Sequence, residues 1–258
     1  NIDSLNQINQ LKPDIIYHLA AEVNVRDSMT HVRRDININV MGTTNILRAV
    51  DIIQKDSDWR LKKFVFTSSG GAVYGDIISG PGHREASKPD PWSVYGVSKL
   101  AAEEYIKVIC SHHNIPYVIL RLANVYGPRQ GNATESGVVS IFLRSMKENK
   151  DVFIFGNGNQ ARDFVYVSDV VDALLAASDK GCRIINVGTS KLTTIHSLFV
   201  RCSGFTKYGR LPIFTDANRY EIHKTYVNNE RMKIELGVYD SVDLSDGLQR
   251  TWDSIKEG

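Results

Sequence analysis

The chain of 258 residues carries 31 Lys and Arg against 29 Asp and Glu, a formal net charge of +2. That length buries a full core, as one large domain or one domain with a subdomain, and the balanced charge gives no global pull toward nucleic acid or membrane. The apolar runs are too short for a membrane span, the polar opening does not read as a signal peptide, and Cys110, Cys182 and Cys202 are too widely spaced for a zinc site or disulfide framework, so a cytoplasmic protein with reduced thiols and no metal is expected.

Short apolar runs rich in Ile and Val alternate with helical patterns. Ile15–Leu19 predicts a buried strand, followed by a helix around Val40–Ile53, a strand at Phe64–Thr67 and a helix over Val94–Ile109. A strand at Val118–Leu122, a helix at Val170–Ser178 and a strand at Ile184–Val187 complete the series. This is an α/β architecture of βαβ units around a parallel sheet, with ligands expected at the C-terminal ends of the strands. His18, at one such end, reads as a packed residue without chemistry. From Gly127 the pattern turns to loops and shorter elements, returns to the sheet near Phe164–Val187, and leaves it again. A core of residues 1–126 and 163–190 is therefore expected, with a discontinuous substrate-holding subdomain of residues 127–162 and 191–258.

Nothing before Ile15 reads as the Gly-rich strand-to-helix turn that lets a dinucleotide pyrophosphate approach backbone N–H groups. The one string that fits that fingerprint, Gly156-Asn-Gly-Asn-Gln-Ala161, is followed by Arg162-Asp-Phe-Val-Tyr-Val167, which alternates like a strand and leaves no room for the helix.

Within Val94–Ile109, Tyr95 and Lys99 are four apart and share one helix face. Ser93 can cap this helix after Pro91, and Glu103 and Lys107 stand at the spacing of a stabilising pair. A phenol is a poor base at neutral pH: bringing its pKa from about 10 to about 7 takes roughly 4 kcal/mol of preferential stabilisation of the phenolate. A neighbouring ammonium supplies charge of the right sign.

Around that pair stand Asp14-Ile-Ile-Tyr-His-Leu-Ala-Ala21, Asn37-Ile-Asn-Val-Met-Gly-Thr43, Phe64-Val-Phe-Thr-Ser-Ser-Gly-Gly-Ala-Val-Tyr-Gly75, Leu120-Arg-Leu-Ala-Asn-Val-Tyr-Gly-Pro128 and Arg162-Asp-Phe-Val-Tyr-Val-Ser-Asp169, in that order. The set resembles the extended short-chain dehydrogenase/reductase family, and within it the nucleotide-sugar epimerases, almost from end to end. The resemblance implies a Rossmann-like sheet with helices on both faces, NAD as cofactor, a UDP-sugar as substrate and a homodimer paired through the helices around Val40–Ile53 and Val94–Ile109. It also sets the Gly-rich turn two strands before Asn1, so the first βαβ unit is expected to be missing and NAD to bind the chain weakly.

Residue by residue, the resemblance makes Tyr95 the acid/base, with Lys99 lowering its pKa and reaching the nicotinamide ribose. Ser69 becomes the hydroxyl that bonds the reacting sugar oxygen. Counting back from Val73-Tyr74-Gly75 lands on Gly70 instead, which keeps Ser68 as a second candidate. Leu19, Ala20, Ala21, Thr67 and Leu122 are expected against the cofactor, with Asn39 opening a helix beneath it. Asn124 and Arg162 match positions that hold the substrate diphosphate, while Val139 and Phe155 lie in segments resembling the uridine and diphosphate shell. Arg219 stands where the family shows Arg-x-Gly-Glu, but this chain reads Asn218-Arg219-Tyr220-Glu221, without the glycine. Dehydratases of the family carry Thr-Asp-Glu before Val-Tyr-Gly, and Gly70, Gly71 and Ala72 stand there instead. A UDP-glucose/UDP-galactose 4-epimerase is therefore expected, ahead of another nucleotide-sugar enzyme (decarboxylase, reductase or other epimerase) or a non-catalytic sugar-nucleotide-binding chain.

Overall fold

The computed structural model describes residues 2–77, 79–131, 137–217 and 222–257. In chain order the first half holds α1 (Ile2–Leu11), β1 (Ile15–His18), the single turns α2 (Val25–Ser28) and α3 (Val32–Asp35), α4 (Gly42–Asp56), β2 (Lys63–Ser69), the single turn α5 (Gly70–Val73), α6 (Val94–His112), β3 (Tyr117–Leu122) and β4 (Asn124–Tyr126). There follow α7 (Val138–Lys147), β5 (Phe153–Phe155), β6 (Ala161–Arg162), β7 (Phe164–Tyr166), α8 (Val167–Ala177), β8 (Arg183–Val187), β9 (Thr193–Thr194), α9 (Ile195–Thr206), β10 (Ile213–Thr215), β11 (Lys224–Thr225) and α10 (Leu244–Glu257).

The central sheet runs in the order β1-β2-β3-β8, every pair parallel, in the register Ile16–Phe64, Phe66–Ile119 and Leu120–Ile185. Side chains alternate across it. Phe64, Phe66 and Ile119 face Leu47 and Val50 of α4 and Ile106 of α6, whereas Val65, Val118 and Leu120 face Ala173 and Leu174 of α8. Both faces are thus covered, which is why these strands read as unbroken apolar runs. A third cluster, built on Phe142 and Leu143 of α7, Ile154 of β5, Phe199 of α9 and Leu248 of α10, packs beside the sheet. Among the described residues no helix is long and apolar enough to cross a membrane.

Two local expectations are corrected. Asn39 does not open a helix: α3, a wide π-helical turn at Ile36–Met41 and α4 form one unbroken helical run, with Asn39 inside the wide turn. No Gly or Pro interrupts the run before Gly42, so it starts earlier than the apolar periodicity indicated. Glu103 and Lys107 do not pair. Lys107 bonds Glu104 at 2.6 Å, because Glu103 lies on the buried face. Gly70 and Gly71 open α5, and neither has positive φ. Gly70 is required by closeness: a Cβ there would lie 2.7 Å from Val227 Cγ1 and 3.2 Å from the Arg121 carbonyl oxygen.

Candidate active site

The first turn of α6 is held on several sides. Ser93 Oγ accepts from Gly96 N at 3.0 Å and starts the helix. Gly96 lets the helix meet α5, since a Cβ there would come within 2.5 Å of the Ala72 carbonyl. Tyr95 N donates to Ser28 Oγ of α2 at 3.1 Å, and the Tyr95 carbonyl accepts from Ser98 Oγ at 2.9 Å. Ser98 Oγ in turn accepts from Asn39 Nδ2 at 3.0 Å. The Asn39 amide also exchanges hydrogen bonds with the Glu22 backbone, at 2.8 and 3.1 Å, so the wide helical turn clips the loop after β1 to α6. Such wide turns are found mostly at functional sites.

Tyr95, Lys99 and Glu103 follow one another at four-residue steps down the face of α6 turned to the sheet. Lys99 is 3% exposed, and its Nζ lies 4.3 Å from the centre of the Phe66 ring. Burial lowers its pKa to about 8, against the opposing charges of Glu103 and Asp35. Tyr95 keeps partial exposure, but enclosure of its hydroxyl pushes its pKa up to about 12; the Ser69 hydroxyl opposes the rise and the buried Asp35 carboxylate adds to it. Asp35 accepts a hydrogen bond from Asn39, at 3.2 Å, and its Oδ2 has no partner among the described residues.

Below Lys99, Glu103 anchors a buried network. It accepts from Ser68 Oγ at 2.5 Å and receives the fork of Arg121 at 2.9 Å (Nε) and 2.6 Å (Nη2). Arg121 also donates to the Tyr74 hydroxyl, which donates to Asn186 Oδ1, both at 2.8 Å. The network therefore joins β2, β3, β8 and α6 behind Ser69. At the end of β1, His18 is a packed residue: its Nε2 lies 2.9 Å from Thr43 Oγ1, and burial lowers its pKa to about 4, so it is neutral at physiological pH.

A cleft of about 720 Å³ opens at the C-terminal ends of β1, β2 and β3. Of the residues singled out from the sequence, Leu19, Ala21, Thr67, Ser68, Ser69, Tyr95, Lys99, Leu122, Asn124, Phe155 and Arg162 all line it. Ala20, Asn39 and Val139 do not: Ala20 is exposed outside it, Asn39 acts one layer behind, and Val139 is buried in the cluster under α7. Arg219 lies outside the described residues. The sequence reading missed Ser28, Arg26, Gln130 and Gln160. Among the described lining residues the cations are Arg26, Lys99 and Arg162, and there is no Asp or Glu.

A family model for the NAD dependent epimerase/dehydratase family matches residues 1–188. The chain belongs to that family. A Methanocaldococcus jannaschii protein with a provisional UDP-glucose 4-epimerase name is 39% identical over 250 residues, covering 97% of this chain and 79% of the relative. The crystal structure of a Thermotoga maritima UDP-glucose 4-epimerase with UDP-glucose superposes with a TM-score of 0.94 at 33% identity, covering 99% of this chain and 81% of that one. A Thermus thermophilus UDP-glucose 4-epimerase complex with NAD gives a TM-score of 0.90 at 28% identity, over 98% and 81% of the two chains. Other matches are named dTDP-D-glucose 4,6-dehydratase or UDP-N-acetyl-alpha-D-glucosaminuronate decarboxylase.

The epimerase/dehydratase family depends on NAD, and the cleft fits the nicotinamide end of that cofactor. Among the described residues Lys99 makes no hydrogen bond to protein, so its buried ammonium offers donors suited to ribose hydroxyls. Ala21, with its short side chain, and the apolar Leu19 and Leu122 line the same cleft.

Proposed function

We propose that the chain is a nucleotide-sugar 4-epimerase that interconverts UDP-glucose and UDP-galactose. One observation carries the reading: Tyr95, Ser69 and Lys99 meet in a cleft whose described lining has no carboxylate. Such a site can take and return a proton at a sugar hydroxyl but lacks the additional acid and base that eliminating water requires.

In this reading Tyr95 accepts the proton of the sugar 4-hydroxyl while Ser69 hydrogen-bonds the same oxygen, with Ser68 tied into the Glu103 network instead. When bound, NAD supplies the hydride acceptor and donor for the sugar carbon, together with positive charge near Tyr95. Leu19, Ala21, Thr67, Lys99 and Leu122 hold its nicotinamide end, and Asn39 serves it indirectly by fixing the α6 turn. Lys99, kept charged by Glu103 and Asp35, adds a positive potential behind the phenol. Asn124 and Arg162 grip the diphosphate, and Phe155 packs against the nucleoside, so the 4-keto sugar is free to turn before Tyr95 returns the proton. The reading keeps residues 1–126 and 163–190 as the cofactor-binding core and the remainder as the nucleotide-sugar-binding part. It also includes a homodimer through α4 and α6, supported by the exposed Ile52, Tyr105 and Val108.

The test is conversion of UDP-galactose to UDP-glucose in the presence of NAD, parent against Tyr95→Phe. The variant should lose at least about a hundredfold in rate, as removal of a general base does, with UDP affinity within a few fold of the parent. A variant running above about a tenth of the parent rate would refute the base assignment. Release of a 4-keto-6-deoxy product or of carbon dioxide would refute the choice of reaction.

A further inference from the structure

Arg26 reaches the cleft from α2, a turn fixed at both ends. Asn24 Oδ1 accepts from Arg26 N at 3.1 Å and Asp27 N at 3.0 Å, and Ser28 Oγ holds the Tyr95 backbone. The guanidinium of Arg26 lies 3.8 Å from the centre of the Phe155 ring on β5, so the contact spans the cleft from the sheet side to the nucleotide-sugar side. Among the described residues the neighbouring carboxylates are already engaged. Asp27 is taken by His31 at 2.8 Å and by Arg34 at 3.9 Å, Glu22 by Arg34 at 2.8 Å, and Arg26 has no ion pair among the described residues. Arg162, across the cleft, is held in place by its own bonds to the carbonyls of Ala161 (3.0 Å) and His223 (3.1 Å). A ring face holds a cation weakly when the site is open to water. A phosphate oxygen pair presents the planar acceptor geometry that a guanidinium fork matches.

We propose that Arg26 is a second diphosphate-binding guanidinium of this cleft, stored on Phe155 and transferred to the phosphates of a bound nucleotide sugar, so that Arg26 and Arg162 clamp the diphosphate from opposite walls. The inference rests on the nucleotide-sugar reading above. It separates a fixed cation, which sets the position of the diphosphate, from a mobile one, which closes over it. The pyrophosphate of a dinucleotide offers the same chemistry, so the experiment distinguishes the two sources.

The parent chain, Arg26→Ala, Arg26→Lys and Phe155→Leu are titrated calorimetrically with UDP, with uridine and with NAD. Arg26→Ala should weaken UDP by about tenfold or more, the usual cost of a charge-assisted contact, while uridine and NAD stay within about twofold of the parent. Arg26→Lys should recover part of the loss, because it keeps the charge without the fork. Phe155→Leu should weaken UDP and uridine alike, preserving their ratio. Unchanged UDP affinity in Arg26→Ala would overturn the proposal, as would equal losses for UDP and uridine, or a loss confined to NAD. A ratio that collapses in Phe155→Leu would show that Arg26 acts only through the ring, which also overturns it. A parent that binds no UDP would sink the nucleotide-sugar reading itself, a result distinct from a parent that binds and a variant that binds equally well.

Discussion

Replacing Glu103 by Ala should be among the most destabilising single changes in this chain. Its carboxylate is fully buried, and the Arg121 side chain opposite it is 2% exposed. Removing Glu103 strands a buried guanidinium, which keeps its bond to Tyr74 alone, and leaves Ser68 Oγ without its acceptor. Breaking a buried pair by removing one partner costs about 3–5 kcal/mol. For a chain of this size that corresponds to a fall of about 10 °C in Tm. Arg121→Met should cost a similar amount, since it strands the carboxylate. The double variant removes both charges, and its cost should be smaller than the sum of the singles by about 2 kcal/mol or more. Denaturant unfolding of the parent, both singles and the double, followed by far-UV circular dichroism, completes the cycle. A Glu103→Ala cost below about 1 kcal/mol, or an additive double variant, would refute the argument that the pair is held by mutual need in a dry interior.

Arg162→Ala should weaken UDP, UDP-glucose and UDP-galactose by a common amount of about 1.5–3 kcal/mol, because the three share one diphosphate; a calorimetric series in which only the preference between the sugars changes would assign Arg162 to the hexose instead. Stability should fall as pH drops from 6.5 toward 4, since the pKa of His18 is lowered from 6.5 to about 4 in the fold and the unfolded chain binds its proton first. The contribution is fully present above pH 6.5 and should be reduced by about 2 kcal/mol at pH 5; His18→Gln should flatten that part of the pH–stability curve, and an unchanged slope would contradict it. Light scattering at tens of micromolar should return twice the chain mass, and Val108→Glu, on an exposed apolar face of α6, should shift it toward the monomer; a monomeric parent would dispose of the α4–α6 dimer.

The sheet was legible because its strands are buried on both faces and so appear as plain runs of Ile, Val and Phe. The helix that carries Tyr95 and Lys99 was legible from its cap, its length and its lack of Pro. Glu103 shows where local reading stops. Its spacing from Lys107 matched a surface pair, yet its spacing from Tyr95 and Lys99, eight and four residues on, also put it on the buried face. Only the tertiary position of Arg121 on β3 decides between the two. Ser28, which fixes the Tyr95 backbone, and Arg26, which crosses the cleft, lie on a single turn with no apolar periodicity, so nothing local marked them. The start of the helix bearing Asn39 was misjudged because Asn is a common helix opener; here its amide is consumed by Glu22 and Ser98 inside a run that had already begun.

The tight seat of Gly70 bears on how this chain can change over generations. A side chain at position 70 meets Val227 and the carbonyl of Arg121 at once, and the latter cannot yield without moving β3. A side chain cannot therefore enter the α5 turn at this position by one substitution. Room has to be made first at Val227, a position far away in the sequence with no part in the chemistry. Descendants that place any side chain at 70 should accordingly carry a smaller residue at 227 before, or together with, the new one at 70. The order of those two steps can be read by reconstructing both single intermediates and measuring which of them still folds.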